Sequence, residues 1–256
     1  YLASAQHRRG GSRHKGGRFA PDDARTFCST KAERTRMTGR SVGGHTRVKT
    51  ARRRTASSTR WLSRQLNDPY VKRAMAEGYR SRAAYKLIEL DEKFAFLRGV
   101  SAVVDLGIAP GGWSQVVRRL RPNAAIVGID LLPVDAIEGV HILQMDFMDD
   151  AAPDLLIQHL GRAPDLVMSD MAANTVGHQQ TDHLRTIALA EAAAEFAIET
   201  LAPGGTFVTK VFQGGTNQGL LTRLKQAFTS VKHAKPPSSR KGSPELFVVA
   251  QGLKPR

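Results

Sequence analysis

Cysteine is almost absent from this chain: Cys28 is the only one among 256 residues. A single cysteine forms no intrachain disulfide and no cysteine zinc cluster, which fits a reducing compartment. The eight histidines show no metal-ligand spacing, so we expect no bound metal. Long hydrophobic runs are also missing, since no apolar segment approaches the roughly 18–20 residues of a membrane span. The sequence therefore excludes a disulfide scaffold and predicts no contact with a membrane.

Acidic residues are scarce in the first quarter of the chain. Residues 1–60 contain 16 Lys and Arg against three acidic residues, whereas residues 61–256 contain 22 basic and 20 acidic residues. The first segment also lacks hydrophobic periodicity, which predicts a basic, mostly disordered extension before a domain at 61–256. Such an extension favours a polyanionic partner, most simply nucleic acid, and a solvated tail without a dedicated partner is the alternative.

The origin of the first residues stays open. Met37 is a candidate natural start, which would make residues 1–36 upstream sequence. An Arg- and Ser-rich, acid-poor leader is also the composition of an organellar transit peptide. We therefore expect a cytoplasmic protein of bacterial type, or a mitochondrial one if the leader is a transit peptide.

Strand-like and helix-like segments alternate after residue 100. Helical patterning begins near Ser63, and Ser81 is predicted to cap a helix that carries Lys86. The predicted strands are Ala102–Asp105, Ala125–Asp130, His141–Met145, Leu166–Asp170, Thr206–Phe212, Val231–Ala234 and Leu246–Ala250. The predicted helices between them are Ser114–Leu120, Ala151–Leu160, Asp182–Leu201 and Gln218–Phe228. This alternation predicts an α/β fold with a seven-stranded, mostly parallel sheet and helices on both faces. The last strand follows a short loop and is expected to return antiparallel.

The segment DLGIAPGGW, Asp105 to Trp113, joins a predicted strand to a predicted helix. A glycine turn in that position builds a ligand site at the carboxyl edge of a parallel sheet. Gly107, Gly111 and Gly112 remove side chains where backbone would approach a ligand. The spacing differs from the G-x-G-x-x-G of dinucleotide-binding proteins. An acid at the strand end with a Pro-Gly-Gly turn suits S-adenosylmethionine, which has a cationic amino group and no pyrophosphate.

Acidic residues also end the next two predicted strands. Asp130 lies about 20 residues after the glycine turn, where a carboxylate can accept hydrogen bonds from ribose hydroxyls. Asp146 is placed to accept from an adenine amino group, and Phe147 to cover the ring. The candidate cofactor residues are Asp105, Gly107, Pro110, Gly111, Gly112, Trp113, Asp130, Leu131, Asp146, Phe147 and Asp170.

Two charged residues stand at or inside later apolar strands. Asp170 follows the strand that ends in SDMAAN, and Lys210 lies within TFVTKVF. A charge buried in a strand without a partner costs several kcal/mol. Lys210 therefore needs a carboxylate nearby or a catalytic role, and Asp170 on the neighbouring strand is the natural partner. A strand-end lysine that reaches solvent is the alternative.

The chain resembles the FtsJ/RrmJ (RlmE) family of ribosomal RNA 2'-O-ribose methyltransferases from about Arg47 to its end. The resemblance rests on ordered segments: SSTRWLSRQLNDPYV, YRSRAAYKL, DLGIAPGGWSQVV, GIDLLP, GVHILQMDF, VMSDMAAN, LAPGGTFVTKVFQG and KPPSSRKGSPELFVVA. The family's Lys-Asp-Lys-Glu catalytic set falls by motif on Lys86, Asp170, Lys210 and Glu245. Two positions depart from the usual pattern: Ala173 replaces a proline, and Ile108 replaces a small residue.

This resemblance implies a function and a set of roles. The expected reaction is S-adenosylmethionine-dependent methylation of a ribose 2'-hydroxyl in large-subunit (23S) ribosomal RNA. The implied target is a uridine of the peptidyl-transferase A loop, in support of large-subunit maturation. Lys210 would be the general base oriented by Asp170, and Lys86 would stabilise the developing alkoxide. Glu245 would position Lys86 and the substrate ribose. A monomer that binds the large ribosomal subunit is expected.

Three alternatives remain beside this interpretation. An oxidoreductase of the dinucleotide-binding class would need the G-x-G-x-x-G turn, which the sequence lacks. A catalytically silent RNA-binding or ribosome-assembly module would keep the scaffold without the reaction, which an intact catalytic set argues against. A 2'-O-methyltransferase of transfer RNA or of the messenger cap would keep the chemistry and change the substrate.

Overall fold

A seven-stranded sheet lies at the centre of this computed structural model, which describes residues 39–42, 45–53, 55–173, 179–212 and 218–255. A separate two-stranded sheet precedes it and contains β1 (Gly39–Val42) and β2 (His45–Val48). The seven strands of the central sheet are β3 (Ala102–Leu106), β4 (Ala125–Asp130), β5 (Val140–Gln144), β6 (Leu166–Ser169), β7 (Thr206–Phe212), β8 (Phe228–Ala234) and β9 (Glu245–Leu253). The helices are α1 (Ala56–Asn67), α2 (Pro69–Glu77), α3 (Ala83–Phe94), α4 (Gly112–Leu120), α5 (Ala152–Leu160), α6 (Gln179–Thr200) and α7 (Gln218–Ala227). Within these residues, no helix has the length and apolarity to cross a membrane.

The strand order confirms the predicted α/β architecture. The order across the sheet is β5-β4-β3-β6-β7-β9-β8. Strands β5, β4, β3, β6 and β7 run parallel, and β9 pairs antiparallel with both β7 and β8. The chain proceeds from β3 to one side and later returns to β6 on the other. The carboxyl ends of β3 and β6 therefore form a topological switch point, where ligands of open α/β sheets bind.

Helices cover both faces of the sheet. Neighbouring residues of β3 alternate between the two cores, with Val104 in one apolar cluster and Val103 in the other. The first cluster takes its helical side chains from α5, α6 and α7, and the second from α3 and α4. All five residues of β3 are buried, as expected for a parallel strand covered on both faces.

The predicted disordered extension ends earlier than residue 60. Residues 39–42 and 45–48 form the antiparallel pair of β1 and β2, and α1 begins at Ala56 rather than near Ser63, with Thr55 as its N-cap. The Asn67 side chain accepts a hydrogen bond from Thr46 N at 2.7 Å and donates one to Thr46 O at 3.0 Å. Backbone pairing and one amide side chain order this pair of strands, and neither leaves a periodic apolar pattern in the sequence. The rest of the extension, residues 1–38 with Cys28 and Met37, lies outside the described residues.

The predicted cap of α3 is shifted by one residue. Arg82, not Ser81, is the N-cap, and it makes no side-chain capping bond. The Ser81 hydroxyl is buried instead beside Gly112, where a Cβ on that glycine would collide with it. Ser81 therefore packs against the glycine turn, although the preference of serine for N-cap positions predicts that it caps the helix.

Asp165 ties the amino-terminal edge of the sheet together, away from the switch point. Its Oδ2 accepts hydrogen bonds from Ser101 N at 2.8 Å, Ser101 Oγ at 2.7 Å and Ala102 N at 3.0 Å. We expect Asp165→Ala to lower the free energy of unfolding by about 2–3 kcal/mol, because three donors lose a charged acceptor. Denaturant unfolding measures this, with Asp150→Ala at an exposed position as the control. An unfolding midpoint equal to that of the control would contradict the assignment.

Candidate active site

A cavity of about 510 Å³ opens at the carboxyl ends of β3, β4, β5 and β6. Six of the predicted cofactor residues line it: Gly107, Asp130, Leu131, Asp146, Phe147 and Asp170. The other five, Asp105, Pro110, Gly111, Gly112 and Trp113, do not line it in the described structure. The cavity thus joins acids from three successive strand ends, as the spacing of the acids along the chain predicts.

Backbone N–H groups hold two of the three acids of the cavity, Asp130 and Asp146. Asp130 Oδ2 accepts from Ala109 N at 2.8 Å, and Asp130 Oδ1 accepts from Leu132 N at 2.9 Å. Asp146 Oδ1 accepts from Met148 N at 2.9 Å. These bonds fix the carboxylates at the cavity wall, and each carboxylate oxygen retains a further lone pair for a ligand.

The three glycines of the turn make room for protein atoms. Gly107 has φ +80°, and an added Cβ would lie 2.8 Å from Met171 Cγ. Gly111 has φ +104°, and an added Cβ would lie 2.5 Å from Ile137 Cδ1. Gly112 faces Ser81 in the same way. Side chains at these positions would therefore collide with protein atoms, and Gly107 in addition lines the cavity.

Arg80 connects this turn to the loop that follows β4. Its guanidinium donates to Pro110 O at 3.3 Å, Asp135 O at 2.6 Å and Ala136 O at 2.7 Å. Its backbone N–H donates to the Gln115 side chain of α4 at 2.7 Å. Arg80 therefore fixes the distance between two loops that border the cavity, although it does not line the cavity itself.

Two candidate residues face the core instead of the cavity. Trp113 is 3% exposed, its indole N–H donates to Ala83 O at 2.9 Å, and its ring packs against Phe247. Asp105 is 1% exposed, and its Oδ2 accepts from Ser114 Oγ at 2.6 Å. Burial raises the pKa of the Asp105 carboxyl to about 7, with a smaller contribution from Asp170. Their side chains therefore support the turn and the start of α4 from beneath.

The predicted catalytic residues meet around Asp170, which is the one of the four that lines the cavity. Lys210 Nζ donates to Asp170 O at 2.7 Å and lies 3.0 Å from Asp170 Oδ1. Lys86 Nζ forms an ion pair with Glu245 and lies 3.8 Å from Asp170 Oδ2. The side chains are 9–20% exposed, so the cluster is partly desolvated. The four residues come from α3, the end of β6, β7 and β9, and form one chain of alternating charges.

The β7–β9 ladder explains why Glu245 reaches this cluster. Lys210 pairs with Phe247, and Phe212 pairs with Glu245, in the antiparallel register. The Lys86 ammonium lies 5.5 Å from the centre of the Phe247 ring, close enough for a cation–π contact. The antiparallel return of the last strand therefore brings a carboxylate to the carboxyl edge of a parallel sheet.

A family model of FtsJ-like methyltransferases matches residues 79–253, which include the cavity and the whole charged cluster. The chain belongs to the FtsJ-like methyltransferase family. The resemblance seen in the sequence is thereby confirmed.

Individual relatives agree with this family. The chain is 74% identical over 214 residues to a Sphingopyxis alaskensis protein named Ribosomal RNA large subunit methyltransferase E, which covers 84% of this chain and 93% of the relative. It is 69% identical over 212 residues to a protein of the same name from Novosphingobium aromaticivorans, covering 83% and 96%. A crystal structure of a ribosomal RNA methyltransferase from Plasmodium falciparum is similar with a TM-score of 0.61 and 33% identity, covering 70% of this chain and 100% of that one.

Several residues at the cavity of this family member have no signal in the sequence. Arg185, Ala188 and Leu189 of α6 are among the lining residues, as are Leu132 and Met148. Leu131, Leu132 and Met148 are 54%, 60% and 53% exposed, so the rim is apolar. Arg185 has no special spacing from the strand-end acids, because it reaches the cavity only through the packing of α6 on the sheet.

The buried carboxyl of Asp105 predicts a pH-dependent stability. Its folded pKa of about 7 lies above its ordinary value of 3.8, so the folded protein binds the extra proton between these values. The free energy of unfolding should therefore fall as pH rises from about 4 to about 7, and this contribution should be constant above. Asp105→Asn removes the titrating carboxyl. The free energy of unfolding of the wild-type protein minus that of Asp105→Asn should therefore decline across this pH window. Denaturant unfolding at several pH values measures it, with exposed Asp150→Asn as control. A flat difference would show that the carboxyl ionises without cost.

Proposed function

We propose that this protein methylates a ribose 2'-hydroxyl of large-subunit ribosomal RNA with S-adenosylmethionine as methyl donor. The observation that carries the proposal is the position of Asp170, which both lines the cavity and contacts the two lysines of the charged cluster. A donor pocket and a proton-accepting cluster therefore share one carboxylate. The names of the close relatives supply the class of RNA.

The cavity fits S-adenosylmethionine by the chemistry of its lining. Asp130 offers carboxylate oxygens to ribose hydroxyls, Asp146 to an adenine amino group, and Phe147 an aromatic surface. Asp170 at the far end offers a negative charge to the cationic part of the molecule. When bound, S-adenosylmethionine supplies an electrophilic methyl group on its sulfonium. Asp105, Gly107, Pro110, Gly111, Gly112, Trp113 and Leu131 would shape or border this site.

The charged cluster assists the hydroxyl of the substrate. With S-adenosylmethionine bound, the 2'-oxygen would be the nucleophile toward the methyl group, and the Lys210 amine would accept the proton of the hydroxyl. Because a hydroxyl is a weak nucleophile, a positioned base lowers the barrier. Asp170 orients Lys210 through the 3.0 Å contact, Lys86 stabilises the developing negative charge, and Glu245 holds Lys86. Alignment of oxygen and methyl carbon supplies the remaining acceleration.

The charges around the two lysines favour Lys210 as the base. Lys86 contacts both Glu245 and Asp170, whereas Lys210 contacts one carboxylate and one neutral carbonyl. Lys210 is also the more buried of the two, at 9% against 13% exposed. On these contacts, we assign stabilisation of the developing negative charge to Lys86 and acceptance of the proton to Lys210.

The finer assignments follow the family resemblance. The proposed target is a uridine of the peptidyl-transferase A loop in 23S ribosomal RNA, methylated in support of large-subunit maturation by a monomeric, cytoplasmic enzyme. Mapping 2'-O-methylated riboses in ribosomal RNA with and without the protein tests the nucleotide. Loss of one A-loop methyl group supports the proposal, and methylation of transfer RNA or the messenger cap instead overturns the substrate. Normal methylation with defective subunits would favour the silent assembly module.

Cofactor affinity should depend on the strand-end acids. We expect Asp130→Ala to weaken S-adenosylmethionine binding by about 1–3 kcal/mol, because an acceptor for the ribose hydroxyls and the anchor of Ala109 N are lost together. Asp146→Ala should weaken binding in the same way, and Asp150→Ala should not. Isothermal calorimetry measures all three. Native affinity in both Asp130→Ala and Asp146→Ala would exclude this cavity as the cofactor site.

Methyl transfer should depend on the ability of residue 210 to lose a proton. Lys210→Ala should abolish single-turnover methylation of large ribosomal subunits while cofactor and RNA binding stay near native. Lys210→Arg should be nearly as inactive, because a guanidinium remains protonated at neutral pH. Lys93→Ala on α3 is the matched control and should keep native activity. Substantial turnover by Lys210→Arg would show that the residue acts only as a charge.

A further inference from the structure

The segment 235–244 precedes Glu245, and its sequence, KPPSSRKGSP, contains three basic and no acidic residues. Ser238 and Ser239 in its middle are buried, at 1% and 6% exposed. On either side, Lys235, Arg240 and Lys241 are exposed. Because its middle is buried, this segment packs against another element of the fold and leaves its cationic side chains exposed.

Helix α3 holds this segment through one face. Arg82, just before the helix, and Glu89 are seven residues apart, with Lys86 between them, so all three lie on the same side. The Arg82 guanidinium donates to Ser238 O, and Ser238 N donates to Glu89 Oε2 at 2.7 Å. Lys86 pairs with Glu245. The face that carries a proposed catalytic lysine therefore also fixes both backbone polar groups of Ser238.

The two anchors are themselves fixed by neighbours. Asp68, between α1 and α2, forms an ion pair with Arg82, and Tyr70 OH donates to Glu89 Oε1 at 3.2 Å. Arg240 lies at the edge of the same network, 3.4 Å from Asp68 Oδ2, with its side chain 40% exposed. Because the contact with Asp68 uses one nitrogen of Arg240, the guanidinium has further N–H donors for another anion.

We propose that the segment 235–244 is the RNA-contacting arm of this site. Arg82 and Glu89 are positioning residues that hold the backbone of this arm, so that Glu245 reaches Lys86. In the same arm, Arg240 and Lys241 bind phosphates of the RNA beside the reacting ribose. A substrate with one negative charge per nucleotide matches the exposed cations of the arm. The assignment rests on the proposed function for the identity of the RNA.

The first test separates RNA contact from chemistry. The double variant Arg240→Ala/Lys241→Ala should raise KM for large ribosomal subunits several-fold and leave kcat and S-adenosylmethionine affinity native. The slope of log affinity for an unmethylated large-subunit ribosomal RNA transcript against log salt should shrink by about 1 to 2, because two phosphate contacts are lost. Lys225→Ala/Lys232→Ala, an exposed pair on α7 and β8, is the charge-matched control. Equal KM and an unchanged slope in the arm variant would overturn the RNA contact.

The second test addresses Glu89. Glu89→Ala should lower kcat by about 10- to 100-fold, because Glu245 and Lys86 lose their registration, while cofactor affinity stays native. Glu89→Gln should restore most of kcat, since its carbonyl still accepts from Ser238 N. Exposed Glu92→Ala on the same helix is the control. Native kcat in Glu89→Ala, or equal losses in the Ala and Gln variants, would overturn the positioning role.

Hydrogen exchange supplies a readout that does not depend on methyl transfer. The Ser238 amide should exchange faster in Glu89→Ala than in Glu89→Gln or Glu92→Ala, with the rest of the sheet as protected as in the native protein. Slow exchange of this amide in Glu89→Ala would overturn the anchor. The proposed function itself would be overturned by a different result. In that case the native protein would show the expected exchange of the Ser238 amide and the expected RNA binding, but would transfer no methyl group to ribosomal particles.

Discussion

The carboxylate of Asp170 is the contact on which the arrangement of this site depends. Asp170 follows β6, which lies next to β3 in the sheet. The chain continues from β3 to one side of the sheet and from β6 to the other, so Asp170 lies at the switch point. One of its oxygens is 3.0 Å from the Lys210 amine, and the other is 3.8 Å from the Lys86 amine. The same side chain lines the cavity. A small displacement of this residue therefore changes the cavity and both amines together.

Partial burial makes the four charges interdependent. An isolated ammonium buried in a strand would cost several kcal/mol, and the alternation of lysine and carboxylate offsets that cost. Lys210 has Asp170, and Lys86 has Glu245 as its nearest anion. Removing one member leaves a partner with an uncompensated charge, so single substitutions act on the whole cluster. Only combined variants separate the energies of the individual contacts.

The sequence predicted the parts of this site that follow from strand order. The ends of Ala125–Asp130 and Thr206–Phe212 match the structure, because apolar runs bounded by an acid or a turn mark where parallel strands stop. Acids at successive strand ends then meet at one edge without further information. The hydrogen bonds from Arg80 to Asp135 and Ala136 span more than 50 residues and join two irregular loops. No local pattern specifies them, and the pair of strands that Asn67 holds escaped prediction for the same reason.

The glycine turn depends on packing contacts that the sequence motif does not reveal. Its glycines leave room for Met171, Ile137 and Ser81, so the motif specifies the shape of the loop that borders the cavity. Ile108, which departs from the small residue usual in the family, fits the same logic. It is 2% exposed and packs where a Cβ on Gly128 of β4 would stand. The larger side chain beneath the turn is thus accommodated by a glycine on the adjacent strand. Because Gly128 provides this space in the core, the departure at residue 108 leaves the strand-end acids in place.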